Sequence, residues 1–260
     1  MTSAAGAREW IVCAVDGSAP AAVAVEQALV LGADDALVEF VSVAPETGFA
    51  PGRYVAQDRE QCERAVEEAL ARAAAAGVRA RGSVPESDDP AATLVEAADG
   101  ADLLVAGGHA GSRGAGIALG SVATALVHRA RCPVLLARRP PEGVAFPSRI
   151  VVASDGSEHA GKAVALAGEL ARRHGARIWL LGVDARLGEH TRLLADVLGE
   201  LPLKLERSGD AHEEIAAAAA DADAALLVVG ARGLGGVKAL GSVSERVAHE
   251  ARCSVLVVRR

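Results

Sequence analysis

Aromatic side chains are scarce in this 260-residue chain: two Trp, one Tyr and three Phe. Proteins that stack successive bases need aromatic platforms, and six residues do not supply them. The core must instead be built from Ala, Val and Leu, whose small side chains bring elements close together. A basic face is also lacking. Lys and Arg number 27 against 34 Asp and Glu, a net charge of -7, and they are scattered, which excludes DNA or RNA as the main partner. The acidic balance reads as solubility. None of the four cysteines (Cys13, Cys62, Cys132, Cys253) forms a CxxC pair, so zinc-finger and dithiol redox readings have no support, and small buried thiols are expected. Histidines at HExxH or H-x3-H spacing are missing, so no metal site is expected. A G-x-S-x-G elbow, a GxxxxGK[ST] loop and a first-strand GxGxxG are missing too, which excludes hydrolase-triad, P-loop and dinucleotide-fold readings. No uncharged apolar run reaches the ~18 residues of a membrane span. Residues 1–9 lack a basic segment followed by an apolar one, so a cytoplasmic protein without a membrane partner is expected.

What the chain does contain is itself, twice. Ile11-Val-Cys-Ala-Val-Asp16-Gly-Ser18 matches Ile150-Val-Val-Ala-Ser-Asp155-Gly-Ser157, and Leu103 to Gly107 matches Leu226 to Gly230. Gly120-Ser121-Val122 matches Gly241-Ser242-Val243, and Arg131-Cys-Pro-Val-Leu135 matches Arg252-Cys-Ser-Val-Leu256. Four matches in the same order mark an internal repeat. The Asp pair lies 139 positions apart (16 and 155) and the Gly-Ser pair 121 (120 and 241), so the second copy is 18 residues shorter. Most of the loss falls where the first copy has Pro45 to Gly77, a loop (Pro45 to Arg59) and a helix (Gln61 to Ala76), against only Asp184 to Gly199 in the second. Arg138 to Pro147, with paired prolines and charge, reads as a stiff linker. Two domains follow, residues 1–140 and a shortened 148–260.

Short apolar runs of strand length alternate with Ala- and Leu-rich helical stretches. In the first copy, strands are expected at Trp10–Val15, Leu37–Val43, Val78–Val84, Leu103–Ala106 and Pro133–Ala137. Helices are expected at Ala21–Gly32, from Asp88-Asp-Pro90 through Ala98, and from Gly120 to Arg129. The second copy places strands near Ile150–Ala153, Arg177–Val183, Leu203–Glu206, Leu226–Val229 and Val255–Val258. The expected fold class is therefore α/β: two tandem doubly wound domains, each a five-stranded parallel sheet covered by helices. Ligands of such sheets sit beyond the carboxyl ends of the strands, where strand order reverses.

Two features meet at that edge in each copy. An Asp closes the first strand (Asp16, Asp155), and a Gly-rich segment follows the fourth, Gly107 to Ser121 and Gly230 to Ser242. Glycines permit positive φ and close approach to a ligand, and the first amides of a helix favour an anion. Ser121 and Ser242 can cap their helices or bind phosphate. The combination points to a polyphosphate beside a carboxylate that accepts hydrogen bonds from ribose hydroxyls or the base edge, against plain tight turns as the alternative. His109, Arg113, Arg232 and Lys238 lie in these segments as exposed turn residues or phosphate contacts.

The set Val15-Asp16-Gly-Ser18, the segment Gly107 to Ser121 and Cys132-Pro-Val134 resembles the universal stress protein family. That family carries V-D-G-S, then G-x2-G-x9-G-[S/T], then a CPV strand, and the likeness extends over nearly the whole chain in two units. The resemblance implies the adenine-nucleotide hydrolase-like fold, ATP as cofactor with Mg, and a stress-response binding module without turnover beyond weak ATP hydrolysis. It implies nucleotide contacts at Asp16, Val43, Gly107, Ala110, Gly120, Ser121 and Val122 in the first copy. In the second copy it implies Asp155, Val183, Gly230, Gly233, Gly241, Ser242 and Val243. Ala110 stands where a second Gly is the rule, and the second copy is two residues short before Gly241. The resemblance also implies an intramolecular pseudo-dimer of the two repeats through their last strands, with a homodimer of chains as a further step. These departures leave a second reading open, a nucleotide-free interaction scaffold. A third, an adenylating ligase of related fold, requires an SGGxDS loop that Asp16-Gly-Ser-Ala is not.

Overall fold

The computed structural model describes residues 9–33, 35–46, 59–108, 119–231 and 241–259. The chain divides into two compact units, Met1–Gly107 with Ala130–Cys132, and Gly108–Arg129 with Pro133–Arg260.

The first unit contains β1 (Trp10–Ala14), α1 (Ala19–Leu31), β2 (Leu37–Val41), α2 (Arg59–Ala75), β3 (Ala80–Ser83), α3 (Pro90–Ala97) and β4 (Leu103–Gly107). Its strands run parallel in the order β3-β2-β1-β4. Local chemistry sets the helix starts. Ser18 accepts the Ala21 N–H and Asp89 accepts the Ala92 N–H, each with Pro in the first turn, where the missing proline N–H costs nothing. In α2 the buried residues Cys62, Ala65, Val66, Ala69 and Ala73 recur at helical spacing, while Arg59 and Arg64 pair with Glu63 and Glu60 on the exposed face, as the charge pattern requires. β2 ends two residues short of Val43, and Ala44 then makes an isolated parallel bridge to Glu86.

The second unit contains α4 (Ser121–Arg129), β5 (Val134–Ala137), β6 (Arg149–Ser154), α5 (Glu158–His174), β7 (Arg177–Val183), α6 (Gly188–Leu198), β8 (Leu203–Arg207), α7 (Ala211–Asp221), β9 (Leu226–Gly230), α8 (Ser242–Glu250) and β10 (Ser254–Val258). Strand order is β5-β10-β9-β6-β7-β8, parallel throughout except that β5 runs antiparallel to β10. The second repeat thus has the doubly wound order, and its reversal point lies between β6 and β9. Both faces are covered, and β9 and β10 are almost wholly buried, which is why they read as unbroken apolar runs. Part of the shortening falls on α6, which has 11 residues where α2 has 17.

The β5–β10 ladder pairs Leu135 with Leu256, equivalent positions of the two repeats. Arg138, expected to begin a linker, is instead 3% exposed. It donates to the carbonyls of Ala248 (2.6 Å) and Cys253 (3.3 Å) at the end of α8, while its equivalent Arg259 donates to the Val127 carbonyl in α4. Each cation meets the negative end of a helix dipole. Burial pulls the Arg138 guanidinium down to about 10.

Candidate functional site

At the reversal point of the second unit, β6 ends in Ser154 and the chain turns through Asp155-Gly156-Ser157 into α5. Asp155 Oδ1 accepts the Ser157 N–H at 3.0 Å, and Ser157 Oγ accepts the Ala160 N–H at 3.2 Å. Gly156 sits at φ 81°, a conformation L side chains disfavour, so the Asp-Gly-Ser signature is first a turn requirement. Asp155 is half-buried at its rim.

Across the crevice, β9 ends at Gly230. Ala231 donates to the Val258 carbonyl (2.8 Å), and Gly241 donates back to the Ala231 carbonyl (2.7 Å), which ties together the two ends of segment 232–240. A Cβ on Gly230 would lie 3.1 Å from the His159 carbonyl oxygen. Neither Gly230 nor Gly107 has positive φ. Their lack of a side chain admits the first turn of the protein's own helix, α5 or α1. The glycine at the strand end therefore serves packing against its own helix.

Of the two roles expected of Ser242, helix cap or phosphate contact, the first is corrected. Gly241 is the N-cap of α8, no side chain caps it, and Ser242 is the first helical residue, exposed. By contrast α1, α3, α5 and α7 are each closed by their own Ser or Asp. At the α8 opening Ser242 and Val243 are exposed, and a helix dipole favours an anion at its N-terminus. The one acid of its first turn, Glu245, lies 3.3 Å from His128. Ser244 Oγ, buried, donates to the Gly230 carbonyl at 2.6 Å and fixes α8 against the end of β9.

Val183 closes β7. Beyond it, Asp184 donates its N–H to the Arg207 carbonyl, and its carboxylate accepts from Ser208 Oγ (2.6 Å) and the Gly209 N–H (3.3 Å). These bonds, Ser208 first, hold Asp184 below the usual carboxylate range. The short link to α6 folds back so that a Cβ on Gly156 would lie 3.4 Å from the Arg186 carbonyl oxygen. Below the turn, Ser154 Oγ lies 2.6 Å from His190 Nδ1, both buried. Sequence reasoning missed this pair. Its trace lay in comparing the repeats: Ser154 replaces Val15 and Gly161 replaces Ala22.

In the first unit, Asp16 is exposed and accepts the Ser18 N–H (2.9 Å). The Val43 carbonyl accepts from the Cys62 thiol (3.6 Å), and Gly107 closes β4. In the second unit, Gly120 accepts the first α4 bond from Thr124, and Ser121 and Val122 are the first helical residues, so Ser121, like Ser242, is not the cap. Leu119 N–H donates to His249 Nδ1 at 3.3 Å. Ala110, Gly233, His109, Arg113, Arg232 and Lys238 lie outside the described residues, as does most of the loop expected from Pro45 to Arg59.

Strand order, with its reversal between β6 and β9, places the second unit among the doubly wound α/β proteins. The universal stress protein family pattern matches residues 8–138, 147–207 and 202–259. A universal stress protein of Mycobacterium tuberculosis (strain H37Rv) is 31% identical over 268 residues, 96% of this chain and 96% of that protein. One from Thermus aquaticus is 37% identical over 133 residues, 42% of this chain and 97% of its own length. The crystal structure of a universal stress protein from Archaeoglobus fulgidus has the same fold, with TM-score 0.74 at 22% identity, covering 96% of this chain and 98% of that one. The chain belongs to the universal stress protein family. The second repeat matches in two pieces that meet at 202–207, just past the shortened α6.

Proposed function

We propose that the second repeat binds ATP in the crevice between the carboxyl ends of β6 and β9, and that the chain acts as a cytoplasmic stress-response binding module without enzymatic turnover beyond weak hydrolysis. The observation that carries this reading is the uncapped, glycine-opened start of α8 opposite the Asp155 turn. In this reading the α8 amides at Gly241, Ser242 and Val243 hold phosphate, Asp155 accepts ribose hydroxyls, and the backbone at Val183 meets the adenine edge. Gly233 belongs to the same segment. Among the described residues no cluster of three His, Cys, Asp or Glu could hold a metal ion, so magnesium would be carried by the phosphates. For the first repeat (residues 1–140) the same expectation, through Asp16, Val43, Gly107, Gly120 and Ser121, rests on its sequence. The reciprocal contacts of Arg138 and Arg259, with Leu135 opposite Leu256, support pairing of the repeats as an internal pseudo-dimer.

The second reading, a nucleotide-free scaffold, draws on the Arg186 carbonyl beside Gly156 and on the segment before Gly241, two residues short. Calorimetry with ATP and magnesium separates the two. Binding is expected at or below millimolar concentration, and Asp155→Ala should weaken it roughly tenfold or more, the usual worth of hydrogen bonds to a charged group. No heat at millimolar ATP would leave the scaffold reading.

A further inference from the structure

We propose that His190 and Ser154 are positioning residues that set the Asp155 turn of the second repeat for its ligand; this rests on the nucleotide reading above. Ser154 Oγ accepts the Gly156 N–H at 3.1 Å, and Asp155 Oδ1 accepts the next amide, Ser157, at 3.0 Å. Two successive amides of the turn are thus held from below. The Gly156 amide belongs to the peptide plane that follows Asp155, so the Ser154 hydroxyl fixes the direction in which the Asp155 residue leaves the sheet.

The hydroxyl needs an acceptor for its own proton in a site where Ser154 is 7% and His190 5% exposed. His190 Nδ1, at 2.6 Å, is its partner. A hydroxyl that takes the Gly156 N–H and donates to Nδ1 satisfies both groups. Space for the ring comes from Gly161. A Cβ there would lie 3.1 Å from His190 Nε2, and Gly inside a helix is unfavourable unless something requires it. The first repeat has Val15 and Ala22 at the two matching positions. Hydroxyl, imidazole and the cleared helix face therefore form one coordinated set in the second repeat, spanning β6, α5 and α6.

The test compares Ser154→Val, Ser154→Thr and the double variant Ser154→Val/His190→Leu. It reads Gly156 amide exchange by NMR in the ligand-free chain, thermal midpoint, and ATP affinity. Val has the shape of Thr without the hydroxyl. Ser154→Val should lower the midpoint, speed Gly156 exchange about tenfold and weaken ATP binding by a similar factor, while Ser154→Thr keeps all three near wild type. The double variant leaves no buried polar group unpaired, so its midpoint should recover, but Gly156 exchange and ATP affinity should stay at the Ser154→Val level. Unchanged Gly156 exchange in Ser154→Val, or affinity that recovers with the midpoint in the double variant, overturns the proposal. If the wild-type chain binds no ATP, the nucleotide reading falls on its own, and Gly156 exchange still decides whether the pair holds the turn.

Discussion

Cys13 and Cys253 show what burial does to single residues here. All four thiols are free and buried, the state expected of small cysteines beside apolar runs. Burial pushes Cys253 up to about 11, partly opposed by the nearby Arg138 charge, and pushes Cys13 up further. A raised thiol pKa means that the folded state holds its proton after the unfolded chain has released it. The stability it contributes is complete below about 9, the ordinary value, and is lost as pH rises toward the folded value. Each thiol should contribute a slope of roughly 1.4 kcal/mol per pH unit. Arg138 acts in the opposite sense. Its folded pKa is lowered to about 10, so above that pH the unfolded chain holds the extra proton and stability rises. Urea denaturation should therefore show stability falling from pH 9 to 10 with both thiol slopes, and falling less steeply from 10 to about 11, where Arg138 offsets one of them. Cys253→Ala should make the fall shallower. A flat profile from 9 to 10 would show that these thiols do not titrate on unfolding.

At the scale of elements, the inner strands were legible because doubly buried strands are short apolar runs, and most observed ends fall within one or two residues of expectation. The helix start at Asp89-Pro90 was legible as a side-chain oxygen meeting an orphan amide, and Ser18 and Ser157 cap their helices in the same way. The candidate site was legible as a list of residues and less so in their roles. Gly107 and Gly230 looked like flexible loop glycines, yet each is the bare spot against which a helix turn packs. Only three-dimensional proximity to Pro20 or His159 reveals that. The difference between the two is measurable. A Cβ on Gly107 would meet the Pro20 carbonyl carbon at 2.7 Å and its oxygen at 2.9 Å, whereas on Gly230 the nearest atom is at 3.1 Å. Backbone cannot swing aside as a side-chain tip can, so Gly107→Ala should cost about 1–3 kcal/mol, and Gly230→Ala distinctly less. Equal losses in thermal or urea denaturation would contradict this account. The Ser154–His190 pair stayed hidden because its members are 36 residues apart, and neither belongs to a known motif.

For the molecule as a whole, the repeat predicted two doubly wound domains, and the structure adds how the last strand of the first copy is used. β5 lies antiparallel on β10 within the second compact unit, and the boundary suggested by the Arg-Arg-Pro-Pro segment passes beside a buried Arg138. A run of apolar residues gives strand identity but not direction, so only the family resemblance pointed to the last strands. Every residue of β10 is buried. A fragment of residues 148–260 would expose that strand as an unpaired apolar edge, which is a template for self-association. Sedimentation velocity on the fragment should show dimers or larger species at micromolar concentration. A stable monomer would mean that β5 is dispensable to the second repeat.

If the α8 opening and the Asp155 turn hold a nucleotide between them, as proposed, a crystal structure of the chain grown with millimolar ATP and magnesium will show it. Phosphate density is expected within hydrogen-bonding distance of the Gly241, Ser242 and Val243 amides, with a ribose at the Asp155 carboxylate. An empty crevice between β6 and β9 under those conditions, with the α8 amides facing only water, would contradict it.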